Sequence, residues 1–173
     1  MKKLITTIAV FVFAIVLSND AFAQKFPKLD KSPADIVLYP RRGADKVAKI
    51  VYSRPQLKGR SLSQLAPNGK VWRTGANEAS QITFYKDVTF GGKSVKAGTY
   101  SLFTIPGESE WTIIINSATN DWGAFSYSES KDVARVKASV KKAKSTIEAF
   151  SIAMGGGNLS LGWGDVVVSV PVK

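Results

Sequence analysis

The fold is decided by residues 70–107, KVWRTGANEASQITFYKDVTFGGKSVKAGTYSLFTIPG. In this stretch Ile82 and Phe84 alternate with polar neighbours, which is typical of a half-buried strand. Gly91-Gly92 separates two short strand-like runs and predicts a tight hairpin, because both turn positions of such a hairpin need positive φ. Thr99–Ile105 is apolar on both faces and predicts a central strand between two layers.

Alternating patterns continue on both sides of this stretch. Val47–Ser53 places Ala48, Ile50 and Tyr52 on one face, and Ala134–Val140 has one apolar and one basic face. Helical signals are weak, being confined to Ser61–Ala66 and the ambiguous segment 131–136. Short alternating runs separated by turn residues predict an all-β domain, a single antiparallel β-sandwich of immunoglobulin-like or jelly-roll-like type, over residues 34–173.

The N-terminus has the layout of a secretory signal peptide. Lys2 and Lys3 precede the apolar run Leu4–Leu17, and Ala21-Phe22-Ala23 fits a small-x-small cleavage site. We therefore expect a signal peptide at 1–23, a flexible leader at 24–33 and a periplasmic or secreted protein with no transmembrane segment after cleavage. The alternative is an uncleaved anchor, which the shortness of the run disfavours.

Composition excludes several classes of site. The chain contains no cysteine and no histidine, so a zinc site built on those residues and any Ser-His or Cys-His nucleophile are impossible. We predict no catalytic residue, no metal site and no cofactor. Removing residues 1–23 takes away two lysines and one aspartate, which lowers the formal net charge from +11 to +10. In an exported protein this charge favours solubility or an anionic envelope surface over nucleic acid.

Tyr100 is predicted to be structural. Gly98-Thr99-Tyr100-Ser101-Leu102 is similar to the tyrosine corner of immunoglobulin-like sandwiches, with Leu102 at the core position. In that motif the tyrosine hydroxyl bonds to nearby backbone, as buried tyrosine hydroxyls usually do.

The most promising binding residues come from loops at one predicted end of the sandwich. Arginine presents a planar fork for carboxylate or phosphate, and tryptophan presents a face for a sugar ring or cation. Gly75 is expected to permit the reversal that brings the polar groups together. The predicted ligand-binding set is Trp72, Arg73, Asn77, Glu78, Arg54, Arg60, Asp121 and Trp122.

Three functions remain open at this point. The first is a non-catalytic envelope protein that binds a small molecule, glycan or peptide group through these loops. The second is a glycan or ester hydrolase using Glu78 and Asp121, because paired carboxylates are the minimum for glycoside hydrolysis. The third is a structural or protein-interaction domain in which Arg73 pairs with Glu78, Trp72 plugs the end of the sandwich, and no small ligand binds.

Five motifs resemble the bacterial domain-of-unknown-function family 2911 (DUF2911). The similarity covers roughly residues 32–172 and implies an exported, β-rich bacterial protein without implying an activity. The motifs are Tyr52-Ser53-Arg54-Pro55, Lys58-Gly59-Arg60, residues 69–78 (GKVWRTGANE), residues 97–107 (AGTYSLFTIPG) and residues 122–127 (WGAFSY).

Overall fold

The computed structural model describes residues 25–173, and the predicted signal peptide lies outside them. Residues 25–33 contain no helix or strand, and β-structure dominates the rest. The strands are β1 (Ala34–Tyr39), β2 (Ala48–Ser53), β3 (Ser80–Phe84), β4 (Val88–Phe90), β5 (Lys93–Val95), β6 (Gly98–Ile105), β7 (Glu110–Asn116), β8 (Asp132–Ser139), β9 (Lys141–Gly155) and β10 (Asn158–Pro171). The helical segments are α1 (Leu62–Leu65) and a 3₁₀ turn at Glu129–Lys131.

Two layers of antiparallel strands form the domain. The large sheet has the order β1-β2-β3-β6-β7-β8, and the β9–β10 hairpin packs against it. The β4–β5 hairpin joins the second layer at the end of the chain, where Thr89 and Lys173 exchange backbone hydrogen bonds of 2.7 and 3.0 Å. The predicted antiparallel β-sandwich is therefore confirmed.

The main core lies between the layers. Ile82, Leu102 and Ile113 of the large sheet belong to one buried cluster with Phe150 and Trp163 of the β9–β10 hairpin. Fully burying one such side chain contributes about 1.5–3 kcal/mol. This inner face therefore supplies most of the driving force for folding.

The opposite, outer face of the large sheet carries a second and smaller core. Phe103 and Ile114 point outward because their strand neighbours point inward, and both are completely buried with Ala79. Ala124 and Tyr127 pack against this cluster from the loop after β7. The central position predicted for Thr99–Ile105 is confirmed, since β6 is covered on both faces.

Two local predictions also hold, and the structure decides one segment that the sequence left ambiguous. Gly91 and Gly92 have φ of 54° and 85° and form the β4–β5 turn. Ser61 caps α1 in a reciprocal pair with Gln64. The ambiguous segment 131–136 is the end of a 3₁₀ turn followed by strand β8. Within residues 25–173 no helix is long and apolar enough to cross a membrane.

Tyr100 makes the backbone bond expected of it. Its hydroxyl donates to the carbonyl oxygen of Lys96 at 3.0 Å, four residues earlier in the chain. Its ring lies 6.3 Å from that of Phe84. The residue thus fastens the start of β6 to the preceding turn.

Candidate ligand-binding site

Trp72 lies in the main core. Its backbone pairs with Thr104 of β6 through hydrogen bonds of 2.7 and 2.9 Å. Its indole stacks on Trp163 at 5.2 Å and meets Phe150 edge-on at 4.9 Å, while the indole N–H donates to the Gly75 carbonyl at 3.1 Å. Although Trp72 was expected among the ligand-binding residues, the structure encloses it because its strand position faces inward.

The loop after Arg73 closes on itself at Ser80. The Ser80 N–H donates to the Arg73 carbonyl at 3.1 Å, and its hydroxyl donates to the Thr74 carbonyl at 2.6 Å. The chain reverses through positive φ at Thr74 (54°) and Asn77 (63°), and not at Gly75 as expected. Gly75 is needed for space, since a Cβ there would lie 3.1 Å from a backbone oxygen of β2.

A second loop crosses the outer face of the large sheet. We call residues 117–128 the crossing loop. Two backbone hydrogen bonds of 2.8 and 3.0 Å join residues 77–79 to residues 121–123 and place Glu78 opposite Trp122. Glu78 and Trp122 are 44 positions apart in the sequence, and the bridge brings together two of the predicted binding segments.

The far end of the crossing loop is anchored by Tyr127. Its hydroxyl donates to Asp132 at 2.7 Å, and Arg135 reaches both groups at 2.7 Å. Asn116 donates to the same carboxylate at 2.7 Å. Burial is the largest cause that raises the pKa of Tyr127 to about 12, and the neighbouring Asp132 is the next largest. The Tyr127 ring packs edge-on against Phe103 at 5.1 Å, so the loop is held by packing as well as by polar contacts.

Arg73 points to the outer face because its neighbour Trp72 points inward. Its Nε atom is buried and has no hydrogen-bond partner. None of the ion pairs formed within residues 25–173 involves this residue. Burial lowers the pKa of the guanidinium, and no charged neighbour offsets it. A Cβ placed on Gly123 would lie 3.8 Å from Arg73 Nη1, so the guanidinium reaches the underside of the crossing loop.

Two further buried polar atoms lack partners in this part of the molecule. They are Oγ of Ser101 and Oδ2 of Asp121, whose other oxygen accepts from Ser126 at 2.6 Å. Ser101 lies two residues before Phe103 on β6 and therefore shares the outer face. Sequence reasoning did not include Ser101, although the strand period assigns it to the face opposite Leu102.

Glu78 and Trp122 lie at the surface above this region. Trp122 is 62% exposed, and Glu78 is also exposed. Glu78 lines a cleft of about 210 Å³, here called the side cleft, whose lining includes Val51, Ser53, Ala79 and Gln81. Phe125, which the sequence prediction did not include, is 88% exposed and follows closely in the crossing loop.

The other two arginines of the predicted ligand-binding set, Arg54 and Arg60, donate hydrogen bonds to groups outside this region. Arg54 donates to the Phe150 carbonyl at 3.0 Å, to Ser151 at 2.8 Å and to Asp35 at 3.2 Å, which ties the large sheet to β9. Arg60 donates to two carbonyl oxygens of its own turn, both at 2.9 Å. The structure therefore brings Arg73, Asn77, Glu78, Asp121 and Trp122 together, without a contribution from the guanidinium groups of Arg54 and Arg60.

Comparison with known proteins gives one match. The family model of DUF2911, a protein family of unknown function, matches residues 32–172. The chain belongs to the DUF2911 family. No curated protein and no solved structure matches it.

In this DUF2911 protein, the two carboxylates considered for hydrolysis, Glu78 and Asp121, lie on either side of the bridge between the two loops. Directly opposed residues of an antiparallel pair share a face, so Glu78 lies on the side of Trp122. Asp121, the neighbour of Trp122, points to the other side of the bridge. The two carboxylates therefore do not face each other across a groove. No group of three or more acidic residues within 25–173 is placed to hold a metal ion.

Proposed function

We propose that this DUF2911 protein is an exported, non-catalytic binding protein that holds an anionic group of a small molecule, glycan or peptide through Arg73. The supporting observation is the half-buried guanidinium whose Nε–H has no acceptor. A buried cation is costly when it is unpaired, and a buried donor without an acceptor adds to that cost. A carboxylate or phosphate at the terminal Nη groups, which remain open to solvent while Nε is enclosed, would supply the missing charge.

The two rival functions receive less support. A structural role predicts a closed Arg73–Glu78 pair, whereas Glu78 is exposed and no such pair forms. A hydrolase needs two carboxylates that flank one bond, whereas Glu78 and Asp121 lie on opposite sides of the bridge between their loops.

Binding is tested by thermal shift of the mature protein with sodium phosphate, sodium acetate and a panel of envelope glycans and peptides. A ligand at 100 times its Kd stabilises the folded state by about 2.7 kcal/mol. We expect Arg73→Ala to remove the response to anions and to leave the fold intact. Arg42→Ala is the matched control, because Arg42 is exposed and lies in another loop. If Arg73→Ala responds like the control, Arg73 is not the binding group.

Export is tested separately by fractionation and intact-mass measurement. The layout of residues 1–23 supports cleavage after Ala23, so the mature chain should begin at Gln24 and appear in the periplasmic or secreted fraction. A membrane-bound species that keeps residues 1–23 would contradict this part of the proposal.

A further inference from the structure

The side cleft is a second concave surface beside the bridge between the two loops. It is lined by aliphatic groups of Val51 and Ala79 and by the polar residues Ser53, Glu78 and Gln81. Its volume of about 210 Å³ is smaller than the roughly 300–1,000 Å³ of pockets that take drug-sized ligands. The cleft is therefore suited to a single ring.

Trp122 is the bridge partner of Glu78, one of the residues that line this cleft. Trp122 and Glu78 form a non-hydrogen-bonded pair of the antiparallel bridge. In such a pair the two opposed side chains lie closer together than in a hydrogen-bonded pair. The other three tryptophans are buried in the main core, whereas Trp122 is 62% exposed. An exposed indole next to a small cleft offers a flat apolar face that a ligand can cover.

The lining has the hydrogen-bonding groups that a polyhydroxylated ring needs. The Glu78 carboxylate accepts from hydroxyls, and Ser53 both donates and accepts. The amide of Gln81 is oriented by its 3.0 Å hydrogen bond to Asn120. Because Glu78 is negative, an acidic group inside the cleft would be repelled. We infer that the side cleft holds one neutral sugar ring of an oligosaccharide whose adjoining acidic unit reaches Arg73.

This inference rests on the proposed function and names its ligand class. Arg73 lies under the bridge, near Gly123, whereas Glu78 and Trp122 face the other way. A ligand that uses both places therefore needs more than one ring. The carboxylate of the acidic unit pairs with the open Nη groups of Arg73, and the neutral unit covers Trp122. An oligosaccharide with alternating neutral and acidic units fits this order of charges.

Trp122 provides the reporter. Hyaluronan tetrasaccharide, which alternates acidic and neutral units, should protect Trp122 fluorescence from acrylamide quenching. Neutral chitotetraose lacks the carboxylate that pairs with Arg73, and wholly acidic trigalacturonate places a carboxylate beside Glu78. Each should therefore bind about tenfold more weakly than the hyaluronan tetrasaccharide, which corresponds to roughly one charge-assisted contact. Glu78→Gln should improve trigalacturonate binding by removing the repulsion. Thermal shift should show that Trp122→Ala loses the hyaluronan response, whereas Tyr85→Ala, which removes an exposed aromatic ring just after β3, keeps it.

The outcomes distinguish this inference from the proposed anion-binding function on which it rests. If phosphate stabilises the protein through Arg73 but the tetrasaccharide does not protect Trp122, the side cleft is not a sugar site and the anion site stands. Equal binding of all three oligosaccharides also overturns the inference. The inference is also wrong if only anionic phospholipid vesicles or peptides raise the melting temperature. If neither phosphate nor any oligosaccharide binds, both proposals are wrong.

Discussion

Trp72 and Arg73 are neighbours in the chain, yet they belong to two regions that differ in how fully their buried polar groups are paired. Trp72 packs against other aromatic rings, and its N–H has an acceptor. Arg73 faces the outer side of the sheet, where its Nε–H has none. All the unpartnered buried side-chain atoms found within residues 25–173 belong to Arg73, Ser101 and Asp121. Folded proteins leave few such groups unpaired, so their concentration on the outer face distinguishes it from the packed inner face and supports the binding role that we propose for Arg73.

The largest effect is expected from Trp72→Ala. Removing a buried tryptophan typically costs about 3–5 kcal/mol, through lost apolar contact and the cavity that remains. The loss would expose the ring face of Trp163 and part of the Phe150 ring to this cavity. Chemical denaturation should show a lower midpoint with an unchanged slope. A cost below about 1 kcal/mol would mean that Trp72 does not anchor the core, and the contrast with Arg73 would disappear.

Arg54→Met should have the next largest effect. Arg54 bonds to Phe150, Ser151 and Asp35, and these contacts join the two layers. Because its side chain is 36% exposed, the expected cost is discounted to about 1–2 kcal/mol. Arg60→Met is the control, since Arg60 bonds only within its own turn and should cost less in the same denaturation experiment.

Strand alternation in the sequence predicts part of this contrast, namely which residues share a face of a strand. Ala48, Ile50 and Tyr52 were assigned to one face of β2, and all three are buried in the main core. Alternation alone does not say which face of a two-sided apolar strand is the inner one. The sequence therefore left two roles open for Trp72, at a ligand or as a plug at the end of the sandwich, and its contacts with Trp163 and Phe150 decide for burial.

The site itself was predicted only in part. The contact between Glu78 and Trp122 joins segments more than forty residues apart, and it depends on where the crossing loop lies over the sheet. No local pattern fixes that path, because it depends on the packing of Tyr127 against Phe103 of β6, which lies 24 positions earlier in the chain. Arg54 was grouped with Arg73 by residue type, whereas the neighbours of each guanidinium decide its role.

Alkaline pH should weaken the anchor of the crossing loop. The pKa of Tyr127 is raised from 10.0 to about 12 in the folded protein, so the unfolded chain loses this proton first. The stabilisation is complete below pH 10 and is lost as the pH rises towards 12. Tyr127→Phe should remove this part of the pH dependence in denaturation curves recorded between pH 9 and 12. If the variant and wild type keep parallel profiles, the Tyr127–Asp132 contact does not hold the loop.

Tyr100→Phe should have a smaller effect. Its hydroxyl bond to Lys96 is exposed, so the expected cost lies near the lower end of the usual 0.5–1.5 kcal/mol for one hydrogen bond. Ligand binding should be unchanged, because Tyr100 lies on the inner face of β6. An unchanged denaturation midpoint would show that the corner contributes nothing to stability.

Arg73→Met should change stability least and function most. Methionine keeps an unbranched apolar stem and removes a half-buried charge that has no acidic partner. Replacing such a group by an apolar one of similar size is often neutral or stabilising, so we expect a free energy of unfolding within about 0.5 kcal/mol of wild type, or higher. The same substitution at Arg54 removes satisfied bonds and should be destabilising. If Arg73→Met instead costs as much as Arg54→Met, then Arg73 has protein partners in solution and the structural role is correct. If it is neutral and the response to phosphate is lost, the unpaired guanidinium exists for a ligand, because the fold itself gains nothing from it.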